Sequence, residues 1–336
     1  MNRTKRTPFP AAVIAVAKPA PVYSPQNRIV PPVNLRVIAE GLRFPEGPVV
    51  MADGSVLVVE IEGQTLARCH PDGSVEVVAE IPGGPNGAAI GPDGACYVTN
   101  NGGIHFNRTA EGMLLPHGAP SSYAGGGIDR IDLKTGEVKR LYDSCNGHKL
   151  RGPNDLVFDE NGGFWFTDAG KSQDREMLRG GVYYARIDGS LITEAVFPML
   201  TPNGCGLSPD GKTLYVAETV PGRLVAFDII GEGKVAPSSG WSAGRLVGAP
   251  GGNTLFDSLA VEAGGAIVIA TVTRGGLTRI AADGGTVEHI PLDDIFTTNV
   301  AFGGPGMKTA YVTMSAGGRL VALDWPEPGL VLNYNG

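Results

Sequence analysis

Thr201–Glu218 reads TPNGCGLSPDGKTLYVAE. An asparagine follows a proline, a short apolar run leads into Pro-Asp-Gly, and a second apolar run follows. Two such runs joined by an Asp-Gly turn read as a β-hairpin. The pattern recurs as FPEGPVVMADGSVLVVE from Phe44, GPNGAAIGPDGACYVTN from Gly84 and GPNDLVFDENGGFWFTD from Gly152. It returns as LFDSLAVEAGGAIVIAT from Leu255 and FTTNVAFGGPGMKTAYVT from Phe296. Aligned on their turns, the six segments share one column: Glu46, Asn86, Asn154, Asn203, Asp257 and Asn299. Each has a turn residue seven positions later: Asp53, Asp93, Asn161, Asp210, Gly264 and Gly306. Every column member carries a side-chain oxygen that can accept a hydrogen bond or bind a cation.

Composition agrees with many chain reversals. The 336 residues include 50 Gly and 26 Pro, dispersed at turns, which suits an all-β chain. The net charge is −7, and no basic patch marks a nucleic-acid partner. No apolar run is long enough for a membrane span. The four cysteines show no metal-type spacing; Cys96 and Cys205 lie in apolar strand patterns and read as small core residues. The N-terminus starts basic, but Pro10, Lys18 and Pro19 interrupt its apolar patch. A signal peptide is therefore not expected, and a cytoplasmic location is.

Residues 1–33 read as a Pro-rich arm outside the repeats, 34–325 as the repeat domain and 326–336 as a tail. Each repeat predicts four short antiparallel strands, a sheet that becomes stable when neighbours pack on both faces. The sixth repeat has only three strands. Asn34–Leu42 supplies a fourth and joins chain start to chain end. The prediction is an all-β, six-bladed β-propeller with its column at the central channel.

Connectivity sets the polarity. The column sits at the start of each innermost strand, at the top of the channel. Two long excursions, 101–124 and 169–180, connect second to third strands and so fall over the column as lids. His105 and His117 lie on the first lid and His148 on another top loop; His70 and His289 read as surface positions. Asp168, ending a second strand, either orients a ligand or caps its own loop.

Two carboxylates confined with four amides repel each other unless a cation compensates them. An all-oxygen set without His or Cys points to a hard cation. Ca²⁺ tolerates amide oxygens and irregular geometry better than Mg²⁺ does; Mn²⁺ and Zn²⁺ complete the divalent candidates.

The motifs FPEGP, GPNDLVFD, TPNGCGLSPDGKTLYVAET, FDSLAVE and AFGGPGMKTAYVT, in this order, resemble the SMP-30/gluconolactonase/LRE-like family over residues 34–325. The resemblance implies a propeller with a divalent metal on its axis, held by Glu46, Asn203 and Asp257. It implies that Asn154 binds metal or substrate. Some sugar lactonases of the family carry an Arg two residues before that Asn; the nearest here is Arg151, three before. The candidate catalytic residues are Asp257, Glu46 and Asn154. The metal set is Glu46, Asn154, Asn203 and Asp257, and the candidate substrate contacts are Asn154, Asn86, Arg151 and His105.

The expected reaction is hydrolysis of a small lactone, such as gluconolactone, with Asp257 as base and Glu46 as ligand. No G-x-S-x-G occurs to suggest a serine hydrolase. Two other readings stay open. The same site could act on another ester, an organophosphate or a cyclic ketone. A non-catalytic binding propeller could carry a structural Ca²⁺.

Overall fold

A computed structural model describes residues 26–31, 34–173, 175–238 and 243–334. Six sheets, antiparallel apart from one added edge strand, are arranged as a six-bladed β-propeller. Their innermost strands are Pro45–Val50, Pro85–Ile90, Pro153–Phe158, Pro202–Leu207, Leu255–Val261 and Thr297–Gly303. The first two strands of each blade are joined by a tight turn. Gly54, Gly94, Gly211 and Gly265 adopt positive φ there, a backbone that glycine enters without steric cost. Asp53 fixes its turn by accepting the Ser55 amide at 2.9 Å and hydroxyl at 2.6 Å. No helix among the described residues is long and apolar enough to cross a membrane.

The core lies between blades. Blades 1 and 2 share a cluster including Leu57, Val59, Cys96 and Val98. Aromatic residues Tyr97, Phe158, Phe164 and Phe166 fill the joint between blades 2 and 3. Equivalent clusters join blades 3 and 4, 4 and 5, and 5 and 6. A sixth brings Ala39, Leu42 and Leu320 against Val56, Val58 and Cys69 of blade 1. All four cysteines are free and buried, and burial pushes the Cys96 thiol up to about 12, which makes it an apolar filler.

In the sixth blade, Arg36–Ala39 pairs antiparallel with Arg319–Asp324, Val37 opposite Val321. The strand is shorter than the predicted Asn34–Leu42. Asn34 and Gly41 both take positive φ, which ends extended structure on either side.

Three sequence readings need correction. Most of the arm, residues 1–25, lies outside the described residues. Its end does not stand apart: Gln26–Ile29 adds a fifth, parallel strand to blade 5 beside Thr286–Ile290. His289, read as a surface residue, is buried at 4% exposure. Its ring meets Thr278 Oγ1 at 3.3 Å, and burial pushes its pKa down to about 4.

The third correction is the C-terminal boundary. Residues 326–334 cross the base of the channel. Trp325 donates its indole N–H to buried Glu262 at 2.9 Å. Gly329 and Leu330 donate backbone hydrogen bonds to Met307 and Val261, both at 2.8 Å. Leu330 and Leu332 line the lower channel, and Tyr334 reaches blade 3, donating to the Glu160 carbonyl at 2.9 Å. Truncation after Trp325 opens this base and removes those backbone bonds. The expected loss in Tm is on the order of 5 °C. An unchanged thermal unfolding curve would show that the tail is only draped over the base.

Candidate active site at the channel mouth

Each innermost strand carries one extra residue relative to its neighbour, always at the column. The irregularities fall between Glu46 and Val49, Pro85 and Ala88, Pro153 and Leu156, Pro202 and Cys205, Phe256 and Leu259, and Thr297 and Asn299. Such a bulge bends the strand and re-aims a side chain. It also brings neighbouring backbones very close. A Cβ on Gly47 would lie 2.7 Å from the Ala88 amide nitrogen, and one on Gly87 would lie 2.6 Å from the Asn154 carbonyl oxygen. At Gly204 it would lie 2.6 Å from the Leu259 amide nitrogen. The motifs PEG and PNG thus pair a functional residue with the glycine that lets its neighbour approach.

Hydroxyl side chains tie the column from blade to blade. Thr99 of blade 2 donates to the Asn154 carbonyl of blade 3 at 2.5 Å, and Thr167 of blade 3 donates to the Asn203 carbonyl of blade 4 at 2.5 Å. Ser315 of blade 6 donates to the Pro45 carbonyl of blade 1 at 2.5 Å. Asp168 holds the loop before Asn154, accepting from the Arg151, Gly152 and Gly170 amides at 2.7, 2.7 and 2.8 Å. Its role is the loop cap.

Within the column the six residues divide by their hydrogen bonds. Asn299 is spent on its neighbours: its amide donates to Glu46 Oε2 at 2.9 Å, and its Oδ1 accepts the Val300 amide at 2.8 Å. Asn86 is also engaged at both ends, donating to the Asn154 carbonyl at 3.0 Å and accepting from Asn101 at 3.4 Å. Asn203 donates to Thr219 Oγ1 at 3.1 Å, and its Oδ1 is met by the Ser258 hydroxyl at 3.4 Å. Asn154 Oδ1 is buried and has no hydrogen-bond partner. A buried carbonyl oxygen left unpaired costs about 1–3 kcal/mol.

A third carboxylate joins the two in the column. Asp155, next to Asn154, occupies the position that is glycine in blades 1, 2 and 4. Its carboxylate accepts the Leu156 amide at 2.9 Å and the Cys205 amide at 3.3 Å. It lies one position past the aligned column, and that next column, G-G-D-G-S-V, holds a single charged residue.

Burial pushes Glu46 well above the usual carboxylate range, and the negative charges of Asp257 and Asp155 push it further. Asp257 keeps some exposed surface but is walled in by the channel. Burial pushes it up to about 7, aided by the charge of Asp155 and opposed by a hydrogen bond from Asn203. Burial also pushes Asp155 up to about 7, against hydrogen bonds from Leu156, Cys205 and Ser258. No Lys, Arg or His among the described residues forms an ion pair with any of the three.

Those features fit a cation. Among the described residues no three His, Cys, Asp or Glu side chains gather as a metal-binding group, so an ion here must also use amide oxygens. Asn154 Oδ1 is the unpaired one. Glu46, Asn154, Asn203 and Asp257 are the residues suited to hold it.

Arg151 and His105 stand differently from the column. The Arg151 carbonyl accepts the Tyr123 hydroxyl at 2.5 Å. His105 lines a groove of about 850 Å³ between the two excursions, with His117, Tyr123, Arg175 and Glu176, and no column residue lines it. The first excursion carries the hairpin Phe106–Arg108 and Leu114–Pro116, which reaches over to blades 1 and 6. Phe106 packs on Phe44 with ring centroids 4.8 Å apart, and the Leu114 amide donates to the Ala316 carbonyl at 3.0 Å.

The raised carboxyls set a pH dependence for protein held in chelator. Their folded pKa values exceed the unfolded ones, so each favours folding most below about pH 4 and loses that contribution as pH rises through about 7. The Tm in chelator is expected to rise as pH falls from 8 to 5. Glu46→Gln should raise Tm at pH 8 and flatten the slope. A Tm that falls steadily over that range would contradict the charge assignment.

Known proteins share this architecture. The SMP-30/Gluconolactonase/LRE-like region model matches residues 44–316. A gluconolactonase of Zymomonas mobilis is 28% identical over 207 residues, 55% of this chain and 51% of its own length. Lactonase drp35 of Staphylococcus saprophyticus is 31% identical over 207 residues, covering 60% and 56%. The chain thus spans about half the length of these curated relatives. Among solved structures, a gluconolactonase from Xanthomonas campestris superposes with a TM-score of 0.68 at 24% identity, covering 89% of this chain and 94% of that one. The calcium-binding protein regucalcin from Agrobacterium tumefaciens gives 0.67 at 20% identity, covering 90% and 99%. With the matched region running from the FPEGP segment of blade 1 into blade 6, the chain belongs to the SMP-30/gluconolactonase/LRE-like family.

Proposed function

We propose that the chain hydrolyses a small lactone at the channel mouth with a divalent cation, best Ca²⁺, held by Glu46, Asn154, Asn203 and Asp257. The observation that carries this is the unpaired Asn154 Oδ1, in the same column as Glu46 and Asp257, two enclosed carboxyls of which Glu46 is raised further by the charge of Asp257. Oxygen-only donors including neutral amides suit Ca²⁺. The relatives named gluconolactonase, lactonase and 6-deoxy-6-sulfogluconolactonase have a lactone substrate in common, which supports the reaction class; a sugar lactone is the finer proposal.

When bound, the cation supplies Lewis acidity toward the ester carbonyl. The chain's own residues supply the proton chemistry. Asp257 is the carboxylate that takes a proton from the attacking water. The new bond joins water oxygen to carbonyl carbon, the ring C–O bond breaks, and the proton passes to the departing alkoxide. Glu46 has no free role in proton transfer, because Asn299 and the Gly47 amide, at 2.9 and 3.0 Å, orient its carboxylate. Asn86 shapes the site by donating to the Asn154 carbonyl and accepting from Asn101. The two excursions limit water access and set substrate choice.

Two variants separate ligation from base catalysis. Glu46→Gln should weaken cation affinity and recover much of its rate at saturating cation. Asp257→Asn should stay about 10²–10⁴-fold slow at any cation concentration, because an amide takes no proton. Near-full rescue of Asp257→Asn would remove it as the base. Chelator should abolish lactone turnover and added Ca²⁺ restore it. Phosphotriester turnover without lactone turnover would move the proposal to another electrophile. No turnover, with a chelator-induced fall in Tm, would make the ion structural.

The pairing of Arg36–Ala39 with the sixth blade is, in the same reading, the closure of the ring. Removing residues 1–42 should then lower Tm far more than removing 1–31. Equal melting temperatures would argue against that closure.

A further inference from the structure

Lys171 is a buried cation on the second excursion. It is 8% exposed, and among the described residues it pairs with no carboxylate at ion-pair distance. Its ammonium instead donates to two carbonyls of the first excursion, Asn101 at 2.9 Å and Gly103 at 2.6 Å. It also lies 4.8 Å from the centroid of the Tyr123 ring. Burying an ammonium is costly without full compensation, so a merely mechanical contact between two loops is an expensive use of it.

The contacts continue toward the column. The Asn101 side chain accepts the Gly103 amide at 2.8 Å and donates to Asn86 Oδ1 at 3.4 Å. Asn86 in turn donates to the Asn154 carbonyl at 3.0 Å. Lys171, Asn101, Asn86 and Asn154 thus form a run from the ammonium on the second excursion to the main-chain carbonyl of the residue that carries the unpaired oxygen. The ammonium also sits where the excursions bounding the His105 groove meet, since Tyr123 and Ser172 line that groove. A neutral side chain at 171 would leave the Asn101–Gly103 carbonyls unheld and Asn101 free to turn away from Asn86.

We propose that Lys171 is a positioning residue of the substrate site, its ammonium locking the first excursion to the second and thereby holding Asn101 on Asn86 beside Asn154. This rests on the reading of the channel mouth as a lactone hydrolase site. Burial pushes the Lys171 amine down to about 8, and Asp168 opposes that shift. The other titratable or charged groups around it are Tyr123, whose phenol is pushed above its usual range, Arg151 beside that phenol, and His105 and His117 of the first excursion.

The experiment compares wild type, Lys171→Met and Lys171→Arg in kcat and KM for a lactone, in Tm, and in hydrogen exchange of residues 100–103. Lys171→Met should raise KM roughly tenfold with kcat within about threefold, and should keep or raise Tm because it removes a buried charge. Lys171→Arg should recover part of KM. Wild-type KM should climb as pH passes about 8, and Lys171→Met should lack that limb. Amides of 100–103 should exchange about tenfold faster in Lys171→Met while inner-strand amides are unchanged. Tm and KM worsening together, with no change in the pH profile, would reduce Lys171 to a structural staple and overturn the proposal. If wild type turns over no lactone, the functional reading fails. The positioning role is then decided by exchange alone: faster exchange at 100–103 supports it, and unchanged exchange overturns it.

Discussion

Six strands can crowd around one axis only where the backbone leaves room for them. At the rim of this channel the room is made by a bulge in every innermost strand and by glycine after Glu46, Asn86 and Asn203. The neighbouring strand then comes within 3 Å of where a Cβ would sit, closer than any side chain tolerates. Everything above the rim depends on that approach. It lets Thr99 and Thr167 each reach a column carbonyl in the next blade, and it turns six separate turns into one ring of oxygen donors.

That ring is electrostatically poor by itself. Glu46, Asp155 and Asp257 are enclosed together, and each carboxyl is raised by burial. A fold selected for stability alone would place apolar residues there. The molecule keeps the charges and satisfies them with directed hydrogen bonds: Asn299 and Gly47 on Glu46, Leu156 and Cys205 on Asp155. Among the described residues, what remains buried and unsatisfied is the amide oxygen of Asn154. Local instability of this kind marks functional sites, where binding repays what folding loses.

The scaffold around the rim is asymmetric. The tail covers the base and brings Leu330 and Leu332 to the lower channel. At the top, the first excursion leans over blades 1 and 6 through Phe106 and Leu114, and the second meets it through Lys171. Both excursions arise between second and third strands, where length can vary without disturbing the blades. The chemistry of the column and the shape above it are therefore carried by separate parts of the chain.

The sequence by itself determined the repeat, the blade number, the column and the positions of both excursions. These follow from local pattern: apolar alternation and Asp-Gly turns recur in every repeat, so one alignment reads all six. It did not separate the roles within the column. Asn86 and Asn299 look identical to Asn154 in the alignment, yet only packing decides that both ends of the first two amides are engaged and one end of the third is not. Asp155 differs from the glycine pattern at a single position, and its importance comes from burial near charges on other blades. His289 reads as a surface residue, yet its ring is buried against Thr278 of the neighbouring strand. Tertiary structure decided these points because each depends on contacts between residues distant in sequence, and local pattern carries no record of such contacts.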